Sequence, residues 1–246
     1  MQALIVLAAL GGFALLVVAI IKANKKQQAA LAASLSQSGF QAVAHLDGDL
    51  EQAFLGMLPR GRTSRSPMNV YRHAALDYDL YRFDVRGHDH TETRFAMVFR
   101  RPLFPAFVLM PNLKLPGFLN SLVQKLLQTA LSGSGFQEVE VPGKPQFREK
   151  CRLLARDHQH ILSVVPADVW ERLAAFPGYL CLQGDGSVLL LQEMVTGRNR
   201  SSNDPRAELR RMVERADALW GVFRDLQPQE GHGGKGERKG VRTLFQ

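Results

Sequence analysis

The sequence predicts an α+β protein: a single N-terminal transmembrane helix followed by one mixed, mostly antiparallel sheet domain with packed helices. Three observations carry this. An uninterrupted apolar run, ALIVLAALGGFALLVVAII, fills residues 3–21. Beyond it, stretches with alternating apolar residues crowd the middle of the chain, and stretches with apolar residues every three or four positions separate and follow them. About 220 residues remain after the run, enough for one substantial core. The divisions that follow are an anchor over 1–23, a helical extension over 24–38, an α+β domain over 39–226 and a flexible basic tail over 227–246.

At about 1.5 Å per residue, a helix over residues 3–21 is about 28 Å long, matching a hydrocarbon core of about 30 Å. A cleaved signal peptide fits less well. It needs a basic stretch before a shorter apolar core and small residues at a cleavage site, whereas here Lys22, Lys25 and Lys26 follow the run and no lysine or arginine precedes it. The same lysines place the following residues in the cytoplasm by the positive-inside rule, so the expected location is a cell inner membrane, single-pass, with the N-terminus outside. Cys151 and Cys181 fit a reducing compartment, and the sequence leaves open whether they pair.

KKQQAALAASLSQ (25–37) is rich in helix formers and ends at Gly39. FQAVAHL (40–46) reads as a strand, and Asp47 or Asp49 then caps a helix with Leu50, Phe54, Leu55 and Leu58 on one face. RGRTSRSP (60–67) is a polar loop. VYRHAALDYDLYRFDV (70–85) alternates, but its apolar parity slips at Leu80–Tyr81, which predicts a bulge or a break there. RGHDHTET (86–93) is the turn into RFAMVFR (94–100), with Phe95, Met97 and Phe99 on one side. In RPLFPAFVLMP (101–111) a strand at Phe107–Met110 has proline at both ends, which suits a strand near an edge or terminus.

Leu119, Leu122, Val123, Leu126, Leu127 and Ala130 mark a helix stopped by Gly133 and Gly135. FQEVEV (136–141) and FREKCRLLAR (147–156) read as strands, and SVVPADVWERLAAF (163–176) as a short helix with Pro166 at its start. GYLCLQGDGSVLLLQEMV (178–195) is a hairpin around Gly184-Asp185-Gly186. The last ordered element is a helix from Pro205 to Leu226, capped by Asp204. Leu209, Met212, Val213, Ala216, Leu219, Trp220 and Phe223 form its apolar face, and Arg206, Arg210, Arg211, Glu214 and Arg215 lie opposite. That face is expected to pack on its own sheet.

Chemistry is sparse. His88 and His90 bracket Asp89, and His158 and His160 form a second H-x-H; together they would supply a metal-ligand set only if the two loops met. An H-x-H in a turn is more often a solvated loop, so no metal site is assigned. Asp77 and Asp79 share one strand face, with Asp84 on the other parity; they read as the wet face of a half-buried sheet rather than an acid/base pair. The sequence contains no Walker A motif, G-x-S-x-G, H-E-x-x-H or dinucleotide fingerprint. No catalytic or cofactor-binding residue is assigned, no cofactor is expected, and the protein is read as not an enzyme. The net charge of +8 and pI near 9.8 are compatible with an anionic membrane surface. Nucleic acid is not expected, since no helix-turn-helix, zinc finger or RNA-binding motif appears.

The order of these segments carries a resemblance. An anchor leads to Gly39-Phe40, a FLGMLPRGR segment, a strand ending FDVRG, FPAFVLMP at 104–111, FREKCRLLARD at 147–157, the PADVWERL helix and GYLCLQGDGSVLLL. This is similar to a family of uncharacterised bacterial membrane-anchored proteins. The departures are Cys151, where a tyrosine is expected, and Arg72-His73, where glycine is expected. The resemblance implies a membrane anchor and carries over no functional residue. The expected role is a membrane-tethered interaction or scaffold domain at the cytoplasmic face of a bacterial inner membrane. It would contact the bilayer through residues 3–21 and a membrane-protein partner through its domain. The alternative is a peripheral domain that senses anionic lipid head groups or a small ligand through its basic surface.

Overall fold

The computed structural model describes residues 22, 25–26, 28–57, 66–86, 91–112, 135–176, 180–193 and 205–226. The apolar run at 3–21, the turn at 87–90, the expected helix around 119–130 and the tail at 227–246 lie outside them. Among the described residues no helix is long and apolar enough to cross a membrane.

In chain order the elements are α1 (28–37), β1 (Phe40–Ala42), α2 (Gly48–Met57), β2 (Met68–Ala74), β3 (Tyr78–Arg86), β4 (Thr91–Phe99), β5 (Phe104–Pro111) and β6 (Gln137–Val139). There follow α3 (Pro145–Lys150), β7 (Cys151–Ala155), α4 (His158–Val164), α5 (Ala167–Ala174), β8 (Leu180–Gly186), β9 (Val188–Glu193) and α6 (Pro205–Phe223). The strands form one nine-stranded sheet in the order β1-β2-β3-β4-β9-β8-β5-β7-β6. Every neighbouring pair is antiparallel. The chain is therefore an α+β protein with helices packed on a large antiparallel sheet.

Helices cover the first face of the sheet. Leu35 of α1, Phe147 of α3, Ile161 of α4, Trp170 of α5 and Leu219 of α6 join Leu80, Met97, Phe107 and Leu189 in the main core. The second face is covered at β3, β4 and β9 by α2. Phe54 of that helix stacks on Phe83 at 4.8 Å and meets Tyr81 edge-on at 5.7 Å. A smaller cluster, Val108, Met110, Phe136, Leu154 and Cys181, occupies the second face at the other half. Asp47 caps α2 as expected, its Oδ1 accepting from the Asp49 N–H at 2.9 Å. Gly39 ends α1 with φ at +80°, a conformation glycine reaches without steric cost.

Three expectations need correction. β3 runs unbroken through Leu80 and Tyr81. The parity slip marks a change in which face is apolar: Tyr78 and Leu80 face the main core, Tyr81, Phe83 and Val85 face α2, and all are buried. The chain turns instead at Ala75–Asp77, and the ladder irregularity lies in β2 between Met68 and Tyr71, where Asn69 has φ +49°. Secondly, β5 is interior, between β8 and β7. Pro105 is tolerated because it falls in a register shift between Phe104 and Phe107, where the ladder to β8 needs no N–H. Thirdly, residues 147–150 are helical. Pro145 opens α3 and the strand begins only at Cys151; six residues are too few for a helical period to show in sequence.

The hairpin from β8 to β9 closes as expected, with Asp185 paired to Val188 and Gly186 at φ +59°. Gly184 has a separate reason to be glycine: a Cβ there would lie 2.2 Å from the Phe107 ring. Gly184→Ala must displace that ring, so urea denaturation should show a loss of about 1 to 3 kcal/mol. Leu35→Ala, which empties a fully buried site in the main core, should cost about 2 to 5 kcal/mol, while Leu76→Ala, at a position 91% exposed, should leave the midpoint unchanged.

Candidate functional site

Three charged residues of β3 lie inside the protein. Asp79, Arg82 and Asp84 are only 6%, 6% and 7% exposed, so the aspartates are not the wet face their alternation predicts; Asp77 alone, in the turn, is exposed. A strand covered on both faces leaves charged side chains no route to water, and each must find partners within the sheet.

On the second face Asp79 is held by Arg72 at 3.0 Å from β2 and by Arg100 at 3.3 Å from just beyond β4. Arg100 also donates to the Ala75 carbonyl at 3.3 Å, tying the β2–β3 turn to the same group. On the first face Asp84 accepts from Asn69 Nδ2, Thr93 Oγ1 and Arg82 Nη2, each at 2.9 Å. Arg82 Nη2 also donates to Thr93 Oγ1 at 3.0 Å, and its guanidinium lies 5.9 Å from the Tyr71 ring centroid. Asn69 reaches Asp84 from the irregular part of β2, so the bulge aims this amide. The buried Arg82 Nη1 has no hydrogen-bond partner. Asp84 is saturated with donors, and this leaves it poorly placed to act as a general base.

The two cysteines are free. β5 separates β7 from β8, so Cys151 and Cys181 lie about two strand spacings, about 9 to 10 Å, apart, beyond disulfide reach. Burial pushes the Cys151 thiol up to about 11, against a weaker opposing pull from Lys150. Burial also drives the fully enclosed Cys181 thiol far above its ordinary value, with Arg94 opposing. Both are protonated at neutral pH and poor nucleophiles.

His158 and His160 occupy the first turn of α4, where Asp157 Oδ1 caps the helix by accepting from the His160 N–H at 2.9 Å. His88, Asp89 and His90 lie outside the described residues. Among the described residues no group of three or more His, Cys, Asp or Glu is placed to hold a metal ion.

An open groove of about 980 Å³ lies between α3 and the β6–β7 edge. Val139, Phe147 and Leu153 form its floor, and ion pairs line its sides: Arg152 with Glu138 at 2.6 Å and Arg148 with Glu140 at 3.3 Å. Its only thiol is Cys151. This arrangement suits contact with an extended or polar partner better than covalent chemistry. No family model, curated protein or solved structure matches this chain.

The Arg82–Asp84–Thr93–Asn69 group escaped the sequence reading. Its signal was present in RFDV, where charges alternate with apolar residues in a strand already apolar on its other parity. Asp84→Ala would strand the Arg82 charge inside, and denaturation should show a loss of about 3 to 5 kcal/mol, much of it recovered when Arg82→Met is added. In the Cys181→Ser variant, alkylation of Cys151 should be slow at pH 8. Because its thiolate appears only toward about 11, the rate should climb about tenfold per pH unit up to that value, as a stopped-flow thiol assay will report.

Proposed function

We propose that this protein is a membrane-tethered binding module, an adaptor or scaffold at the cytoplasmic face of a bacterial inner membrane, related to the uncharacterised membrane-anchored proteins its sequence resembles. The observation that carries the reading is the path of α1. Residues 22, 25 and 26 are helical, as are 28–37, and Leu31 and Leu35 of this helix pack into the main core. α1, which follows the apolar run in sequence, is thus packed into the domain by its own leucines, and this supports a domain held close to its anchor. Confinement to two dimensions raises its effective concentration toward other membrane proteins, so that modest contacts suffice.

The polar groups support binding over catalysis. Asp79 and Asp84 are neutralised by arginines, the groove is lined by ion pairs, and both thiols are held protonated. A Leu76→Cys variant in a Cys151→Ser background offers one accessible thiol, since Cys181 is buried. It should resist a membrane-impermeant maleimide in intact cells and label fully after permeabilisation, with the chain remaining in the membrane pellet after a carbonate wash. Labelling in intact cells would put the domain on the other side.

A further inference from the structure

Where β2, β3 and β4 approach the Ala75–Asp77 turn, two arginines share one carboxylate on the second face of the sheet. Asp79 Oδ2 accepts from Arg72 Nη2 at 3.0 Å and from Arg100 Nη1 at 3.3 Å, and Asp79 Oδ1 accepts from Arg100 Nη2 at 3.4 Å. One carboxylate cannot neutralise two guanidinium groups, so a positive charge is left over. The anion is inside and the cations are not: the Asp79 side chain is 8% exposed, those of Arg72 and Arg100 41% and 52%. Asp79 thus pins both guanidinium groups at one spot while their outer edges stay in water. The bond from Arg100 Nη2 to the Ala75 carbonyl at 3.3 Å fixes one of them further.

Ladder register adds a third donor. Tyr81 stands opposite Arg72, one row from Asp79, and α2 covers it only from the far side, where Phe54 meets its ring edge-on. Burial raises the pKa of the Tyr81 hydroxyl and Asp79 raises it further, with Arg72 and Arg100 opposing, so at neutral pH it remains an O–H donor beside the two arginines. Arg72 also has an unmet need: its Nε is enclosed and has no hydrogen-bond partner. An acceptor that reaches this donor relieves the cost of leaving it buried and unpaired.

The surrounding charges do not cancel the surplus. Asp77 in the turn and Arg101 beside Arg100 are both exposed and of opposite sign. Asp49 and Glu51 of α2 precede Phe54 in that helix, and the charges that act on Arg72 and Tyr81 are those of the cluster itself. Asp185 lies on the row of Asp79, Val98 and Val188, three strand spacings or about 14 Å from Asp79, beyond a Debye length of about 8 Å. We propose that Arg72, Arg100 and Tyr81, pinned by Asp79, form a binding site for a phosphate monoester. A tetrahedral phosphate offers three terminal oxygens to donors arriving from three side chains, where a planar carboxylate offers two, and the guanidinium fork suits it. None of this depends on the anchor.

The first test is calorimetric titration of the full chain, in neutral detergent at constant ionic strength, with inorganic phosphate. A dissociation constant of about 1 mM is expected. Arg100→Lys keeps the charge and loses the fork, and should weaken binding about tenfold; Tyr81→Phe, with no change of charge, should weaken it about threefold. Asp79→Asn separates a pinned site from loose attraction. It adds a positive charge, so attraction alone predicts tighter binding, whereas loss of the pin predicts binding about tenfold weaker. Arg100→Lys and Tyr81→Phe leave Asp79 in place and decide the matter if Asp79→Asn does not fold. Absence of phosphate binding, indifference to Arg100→Lys and Tyr81→Phe, or tighter binding by Asp79→Asn overturns the proposal. The source of the phosphate is then read in phosphatidylcholine vesicles from the rate at which phenylglyoxal modifies Arg100, measured by mass spectrometry. Protection by added glycerol 3-phosphate marks a soluble ligand, and protection only by phosphatidic acid in the vesicle marks a lipid head group. Protection by neither, or equal protection of the exposed Arg210 on α6, overturns the site.

Discussion

The coverage of β3 on both faces is the constraint from which most of this fold follows. Nine residues long and second neighbour to the β1 edge, the strand packs against the main core on one face and α2 on the other. α2 lies over the Tyr81, Phe83 and Val85 positions, and the main helical layer over Tyr78 and Leu80. Where each face is not apolar, it carries charge, and the charge is buried all the same. Arg72, Arg100, Thr93 and Asn69 are thereby fixed as partners supplied by the neighbouring strands and links. Ion pairs enclosed in this way contribute less to stability than their geometry suggests, because removing both charges from water costs several kcal/mol each. Their clearer effect is on register: sliding β2 or β4 by one residue would leave Asp79 or Asp84 without a partner.

The same logic explains the edges. A long sheet with two open margins is prone to pairing with other chains. Here both margins are three-residue strands, β1 and β6. Beside β6, the Glu138–Arg152 and Glu140–Arg148 pairs place charge along the margin. The proline that sequence alone reads as marking an edge or terminus lies in an interior strand. Pro105 sits where β5 shifts register against β8, just before Phe107, whose ring fills the space left by Gly184. Interior strands thus keep their irregularities at points where a ring or a turn needs room.

Local patterns with strong turn chemistry were legible from sequence. The β8–β9 hairpin, the Asp47 cap, Gly39 as helix end, the apolar face of α6 and the Phe95–Met97–Phe99 face of β4 all follow from periods of two or 3.6 residues and from glycine or capping residues. The parts that were not legible depend on what lies above a residue. Alternation in LDYDLYRFDV reads as one wet face only if a single face is covered, and nothing in those letters reports α2, which lies before them in the chain. The six-residue α3 has no period to detect, and its Phe147 and Glu149 share parity with Cys151 of β7, so the stretch reads as one strand. For the same reason the Arg82–Asp84–Thr93–Asn69 group was invisible: its members are brought together by ladder register, across as many as 24 positions of sequence from Asn69 to Thr93.

α1 leads into the β1 edge and packs into the main core. Docking of Leu31 and Leu35 ties α1 to the main core, and the apolar area they bury offsets part of the cost of ordering the helix. The groove beside α3 then acquires a place. β7 begins and β6 ends on the Arg86 side, since Pro111 pairs with Cys151 at the far end of β5. A groove with an apolar floor and charged sides therefore lies on the Arg86 side of the sheet. The turn end, with Leu76 almost fully exposed between Ala75 and Asp77, points the opposite way.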